Sequence, residues 1–251
     1  SEMCIRDRYI LKLMAFNSIK PNNLRFSQKC LINFLMGSLS VLSLEPVNFY
    51  VILFLTIPIY IFNFDSLYDD KKKYPRKKFF IKCFLLGMSF GYGFYFFSLY
   101  WINISLLYEL DIYYYFLLPG LLLVPLLLST FYGLSAIISS LFYPRNISRI
   151  FIVSIVWTIS EYVRISITDF PWAQIGHSLI QINTILQSVS VFGELFLTTL
   201  AIIVFSLPLV LFFDKSPDLK FTSVTITLSI LVGVIIFGLS RPDASFCVAL
   251  A

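Results

Sequence analysis

Seven apolar runs follow one another at about 27–45, 47–64, 79–101, 113–142, 148–164, 188–213 and 221–239. Each is near or above the ~20 residues that a helix needs to cross a bilayer. No soluble architecture accommodates such a succession: 58% of the residues are hydrophobic and 13% charged, with a mean hydropathy of +0.84, whereas a soluble domain is nearer ~45–50% apolar. Lipid offers the backbone no hydrogen-bond partners, so each run must satisfy its own peptide groups as a helix. The expected fold class is all-α integral membrane, a bundle of about seven transmembrane helices.

The charges between the runs set its orientation. Of the 19 Lys and Arg, all but Arg164 and Arg241 lie in four stretches: the N-terminal segment up to Lys29, then 65–82, 143–149 and 214–220. Alternating spans bring all four stretches to one side, and a basic bias of this size marks that side as cytoplasmic. The N-terminus is therefore expected inside, and the 165–187 connection and the residues from Ser240 onward outside. The net charge of +5 reads as an orientation signal and not as a nucleic-acid footprint. Cys4, Cys30, Cys83 and Cys247 lie far apart without CxxC or Cys/His spacing, so neither a disulfide framework nor a metal site is expected.

Within this layout, residues 1–26 form an N-terminal segment, of which 1–9 are out of character and read as non-native; 27–240 form the membrane domain. The second run is expected to be interrupted at Pro58, and the fourth to open with a belt of Tyr113, Tyr114 and Tyr115 and to kink at Pro119 and Pro125. Residues 65–82, with seven basic residues, read as a hydrophilic loop. In the third run Gly87, Gly91 and Gly93 have the spacing that lets helix backbones approach closely, for which plain helix packing is a sufficient reason. Glu194, early in the sixth run, suits an interfacial position or a buried polar contact.

The chemistry-bearing stretch runs from Trp157 to Gly176. Spacings of four and three put Trp157, Glu161 and Arg164 on one helix face, where carboxylate and guanidinium can meet. An ionisable residue in a membrane segment is expected to turn inward to a partner. Pro171 biases Phe170 away from helix, and Gln174, His177, Gln181, Asn183 and Gln187 are too polar for a lipid-exposed span, so a loop or interfacial helix follows. The plainer alternative is a pair that closes a helix end, with Trp172 an ordinary interfacial anchor.

The string W-x3-E-x2-R (Trp157, Glu161, Arg164), then Phe170-Pro171-Trp172 and Gly176, resembles the signature of the apolipoprotein N-acyltransferase family. The Gly87, Gly91 and Gly93 pattern followed by Trp101 and Ser105 resembles the corresponding third helix of that family. The resemblance spans roughly 27–240. It implies a multi-pass protein of the bacterial inner membrane that transfers an acyl chain from a phospholipid donor to the diacylglyceryl-cysteine of an apolipoprotein acceptor, with no metal, no cofactor and no nucleic acid. It also implies that the Glu-Lys-Cys catalytic triad sits in a nitrilase-like periplasmic domain that residues 241–251 only begin. No catalytic residue is then expected in this chain, which should be inactive alone; Trp101, Trp157, Glu161, Arg164, Phe170, Pro171, Trp172 and Gly176 remain as lipid-groove or motif candidates.

Cys247 has no base or cation constellation that would make it a nucleophile, and the lone His177 is read as a polar surface or core residue. Two other readings compete. A transporter or channel would carry mid-helix charges and internal repeats, neither of which is visible; a purely structural membrane subunit is the other.

Overall fold

The structure, a computed structural model, describes residues 24–100, 110–144, 146, 148–213 and 217–240, with the backbone alone for 110–118, 212–213 and 217–219. The described elements are helical: α1 (Phe26–Ser40), α2 (Leu53–Asp69), α3 (Arg76–Ser98), α4 (Leu110–Leu141), α5 (Ser148–Thr168), α6 (Asn183–Leu186), α7 (Val189–Phe192), α8 (Glu194–Phe205), α9 (Leu207–Phe213) and α10 (Pro217–Leu239), joined by short 3-10 turns. Among the described residues, six segments are long and apolar enough to cross a membrane: Tyr50–Lys73, Arg76–Ser98, Pro119–Leu141, Ser148–Thr168, Glu194–Leu211 and Lys220–Leu239. The first expected span is instead a helix of 15 residues, about 22 Å at 1.5 Å per residue. That falls short of the ~30 Å hydrocarbon core.

Several sequence expectations change at this level. Pro58 lies inside α2 without interrupting it, because packed neighbours in a membrane bundle re-satisfy backbone groups that a proline frees; Pro119 and Pro125 lie within α4. The 65–82 loop shrinks to a turn, because α2 continues to Asp69, a 3-10 helix covers Asp70–Lys73, and α3 already begins at Arg76. The sixth run is not one helix. Gly193, at φ +77, separates α7 from α8, and a second break at Ser206 leaves α9 as a separate piece. Of the tyrosine belt at 113–115, only the backbone course is described.

Close approach of backbones explains the glycines. A Cβ on Gly37 of α1 would sit 2.0 Å from the Phe90 carbonyl oxygen of α3, and one on Gly93 2.1 Å from that of Phe34. Gly87 and Gly91 turn the other side of α3 to α4, where a Cβ would meet the Tyr132 carbonyl oxygen at 2.4 Å and the Tyr132 Cβ at 2.8 Å. Thus α3 is clasped between α1 and α4, as the small-residue spacing predicts. Polar side chains tie the bundle further: buried Asn63 donates to Asn33 (2.7 Å), Asn33 to the Leu86 carbonyl (3.3 Å), and half-buried Ser160 to the Phe131 carbonyl (2.7 Å). The result has a basic end, where α2 meets α3, and a loop end, where the chain leaves α5 at Thr168.

Candidate functional site at the loop end

Helix α5 sorts its residues by face. Ile155, Ile159, Tyr162 and Ile167 are exposed, while Trp157, Glu161 and Arg164 are 2%, 1% and 0% exposed. The indole of Trp157 is enclosed edge-on by Tyr132 (4.6 Å between centroids), Tyr60 (5.3 Å) and Phe90 (5.5 Å). A cleft beside it, lined by Tyr60, Phe64, Ser135, Ser139 and Trp157 among others, is too tight for a water molecule. The centre of the bundle is packed core.

One turn on, Glu161 and Arg164 form a buried pair. Arg164 Nε donates to Glu161 Oε2 at 2.8 Å and Nη2 approaches the same oxygen at 2.6 Å, while the Tyr132 hydroxyl donates to Oε1 at 2.9 Å. The guanidinium also lies over the Tyr95 ring, 5.5 Å from its centroid. Charge-assisted bonds of this kind are about twice as strong as neutral ones. Breaking such a pair costs more than its net worth, because the surviving charge stays desolvated.

The same guanidinium reaches out of the helix. Nη1 donates to the Phe170 carbonyl (2.7 Å) and Nη2 to the Trp172 carbonyl (3.3 Å), while Gln174 Nε2 donates to the Pro171 carbonyl between them (3.0 Å). Two buried side chains therefore hold three successive carbonyls of the Phe-Pro-Trp corner. Its backbone is sharply turned: Asp169 and Ala173, on either side, have φ of +50° and +56°. Left-handed conformations of non-glycine residues cost about 1–2 kcal/mol each, so the corner persists because its carbonyls are clamped. Phe170 packs against the core, whereas Trp172 is 58% exposed at the loop end.

Beyond the corner, a 3-10 turn (Ile175–Leu179) lies directly on α8. A Cβ on Gly176 would fall 2.5 Å from the Thr198 amide nitrogen, so glycine is what allows that contact. Gln174 Nε2 also donates to Glu194 Oε1 (3.0 Å), which His177 contacts through Nε2. Glu194 is about half-exposed, so its polar contacts are made at the surface and the buried contact its position also allowed is not formed. Gln181 extends the network to Asn48 before α2 (2.7 Å).

Of the eight candidates, Glu161, Arg164, Phe170, Pro171 and Trp172 meet at this corner, Gly176 lies beside it against α8, and Trp157 sits one turn below in the core; Trp101 lies outside the described residues, as do Ser105, Cys4 and Cys247. Sequence reasoning missed Tyr132, Tyr95 and the clamp made by Gln174. Polar glutamine next to an apolar corner was a signal for the last of these. Among the described residues no cluster of three or more His, Cys, Asp or Glu is placed to hold a metal ion, and Cys30 and Cys83 sit within helix packing.

Comparison with known proteins gives this geometry a context. A family profile described as the apolipoprotein N-acyltransferase N-terminal domain matches residues 36–207. Proteins named apolipoprotein N-acyltransferase are similar in sequence: one from Rhodopseudomonas palustris is 29% identical over 214 residues (84% of this chain, 39% of the relative). One from Allorhizobium ampelinum is 28% identical over 185 residues (73% and 35%), and one from Agrobacterium fabrum 30% over 176 residues (68% and 32%). The matches cover between about a third and two fifths of these relatives' length.

Proposed function

The chain belongs to the apolipoprotein N-acyltransferase family, and we propose that it is the membrane part of an enzyme that moves an acyl chain from a phospholipid to the amino group of a lipoprotein's N-terminal diacylglyceryl-cysteine. In this reading the protein lies in a bacterial inner membrane, with its basic end cytoplasmic and its Phe-Pro-Trp corner periplasmic. A cysteine thiolate of a nitrilase-like domain takes the acyl chain as a thioester while the lysophospholipid leaves as its alcohol; the acceptor's α-amino group then attacks the thioester carbonyl, the C–S bond breaks, and the amide and the free thiol result. Residues 27–240 supply binding and orientation.

The observation that carries the reading is the clamped corner. Both substrates are lipids held in one leaflet, so catalysis requires two chains to be brought to one point in a fixed geometry, and fixed positioning is where large rate gains arise. A corner whose three carbonyls are tied to a buried ion pair and to Gln174, and which leaves Trp172 exposed at the loop end where an indole suits a membrane interface, supports the reading of a rigid rim for such a lipid entrance. Glu161, Arg164 and Gln174 are positioning residues in this account; Phe170 anchors the corner, and Pro171 and Gly176 set its course.

Two proteins test the proposal. Assayed with a phospholipid donor and a diacylated lipopeptide, this chain alone should give no N-acylation, and Cys247→Ser should change nothing. Replacing the matching membrane part of the Rhodopseudomonas palustris relative by residues 27–240 should give acylation. A monodisperse chimera that leaves the lipopeptide unmodified, or turnover by the chain alone, contradicts it.

A further inference from the structure

We propose that the basic end of the bundle binds the headgroup of an anionic phospholipid, whose acyl chains lie along the exposed apolar faces of α1 and α3. The inference concerns the opposite end from the Phe-Pro-Trp corner and does not depend on acyl transfer.

Between Asp65 and Lys82 seven basic residues face three carboxylates, Asp65, Asp69 and Asp70. All three are engaged: Asp70 pairs with Lys73 (2.6 Å), Asp65 takes the Tyr143 hydroxyl and lies 3.6 Å from Arg149, and Asp69 has a partner as well. Several remaining cations rest on ring faces. Lys82 Nζ lies over Tyr74 (4.0 Å) and Phe26 (4.4 Å), Lys71 Nζ over Tyr68 (4.9 Å) and Phe79 (5.5 Å), and the Arg76 guanidinium over Phe80 (5.6 Å). A ring orients a cation without neutralising it, so these positive charges are pre-arranged yet still available to an anion. Ordering long side chains in advance removes part of the entropy that binding would otherwise cost.

Behind them stands a second, independent feature. Lys29 is 3% exposed, and its ammonium donates to one neutral partner, the Ser66 hydroxyl, at 2.6 Å. An ammonium has three N–H donors, and among the described residues no carboxylate lies within ion-pair distance of this one. The carboxylate that acts on it, Asp70, is beyond ion-pair reach and already pairs with Lys73, so this nearly buried charge adds to the positive potential at the surface above it. The neighbouring helix faces then decide what kind of anion fits. Leu31, Leu35 and Leu39 recur at helical spacing on the exposed side of α1, and Ile81 and Leu85 on that of α3, beginning within a turn of Lys29 and Lys82. A free phosphate uses the cations alone; a phospholipid uses both the cations and these apolar stripes.

The test is the thermal stability of the purified chain in nonionic detergent, with phosphatidylglycerol or phosphatidylcholine of the same acyl chains titrated in. Phosphatidylglycerol should stabilise at a concentration at least about tenfold lower than phosphatidylcholine. That preference should vanish near 1 M salt, where the screening length is ~3 Å. The triple variant Lys71→Gln, Arg76→Gln, Lys82→Gln should lose on the order of a hundredfold in apparent affinity for phosphatidylglycerol, from about 1 kcal/mol per cation near a membrane surface. Should that variant fail to fold, the salt titration of the unmodified chain decides. Equal stabilisation by the two lipids, a salt-insensitive preference, or the same effect from glycerophosphoglycerol without acyl chains overturns the proposal.

Discussion

Arg164 commits all three guanidinium nitrogens to protein oxygens, on Glu161, Phe170 and Trp172. Removing it by Arg164→Ala leaves the Glu161 carboxylate desolvated and frees two corner carbonyls; the expected loss is about 3–5 kcal/mol, read as unfolding in detergent. Arg164→Lys keeps the charge but not the planar fork, and should fall between wild type and alanine. Tyr132→Phe strips Glu161 Oε1 of its donor and should cost about 1–3 kcal/mol. Ser166→Ala should be near neutral, since that exposed hydroxyl bonds only back to the Tyr162 carbonyl of its own helix. An Arg164→Ala protein as stable as wild type contradicts the pairing. The shared face of Trp157, Glu161 and Arg164 was legible from spacing alone. Tyr132 was not, because nothing local distinguishes it among the 15 tyrosines and its bond to Glu161 is made from another helix.

Helix contacts make a sharper contrast among the glycines. Gly37→Ala must push its new methyl into the Phe90 carbonyl of α3, and Gly176→Ala into the Thr198 amide of α8; overpacking of this kind costs typically about 1–3 kcal/mol. Gly233→Ala meets nothing within 4 Å and should stabilise α10 slightly, by up to about 1 kcal/mol of helix propensity. If all three substitutions behave alike in thermal unfolding, the close-packed arrangement of α1, α3 and α8 is wrong. The sequence reading located the elements well because apolar run length and glycine spacing are local signals. It misjudged Pro58 and the 65–82 segment because helix continuation there depends on tertiary partners: α2 and α3 extend past the apolar stretch, with their cations supported on Phe26, Tyr68, Tyr74, Phe79 and Phe80. The break at Gly193 was likewise hidden, since a glycine in an apolar run reads equally as helix packing.

The whole molecule joins a basic end and a clamped-loop end through a packed core, and the proposed orientation gives each end its compartment. In a background without the native cysteines, Lys72→Cys should resist an impermeant thiol reagent added to intact cells, and Asn183→Cys should react; both positions are exposed in the fold. The reverse pattern would invert the topology. The central claim, that the buried pair positions the corner for lipid substrates, is tested most directly by N-acylation of a diacylated lipopeptide by a full-length protein carrying this membrane domain. With Glu161→Gln or Arg164→Ala, kcat/KM is expected to fall at least about tenfold, equivalent to ~1.4 kcal/mol of lost transition-state stabilisation, while Ser166→Ala transfers acyl groups at the wild-type rate. Unchanged transfer by both charge-removal variants, in protein that remains folded, would contradict the account.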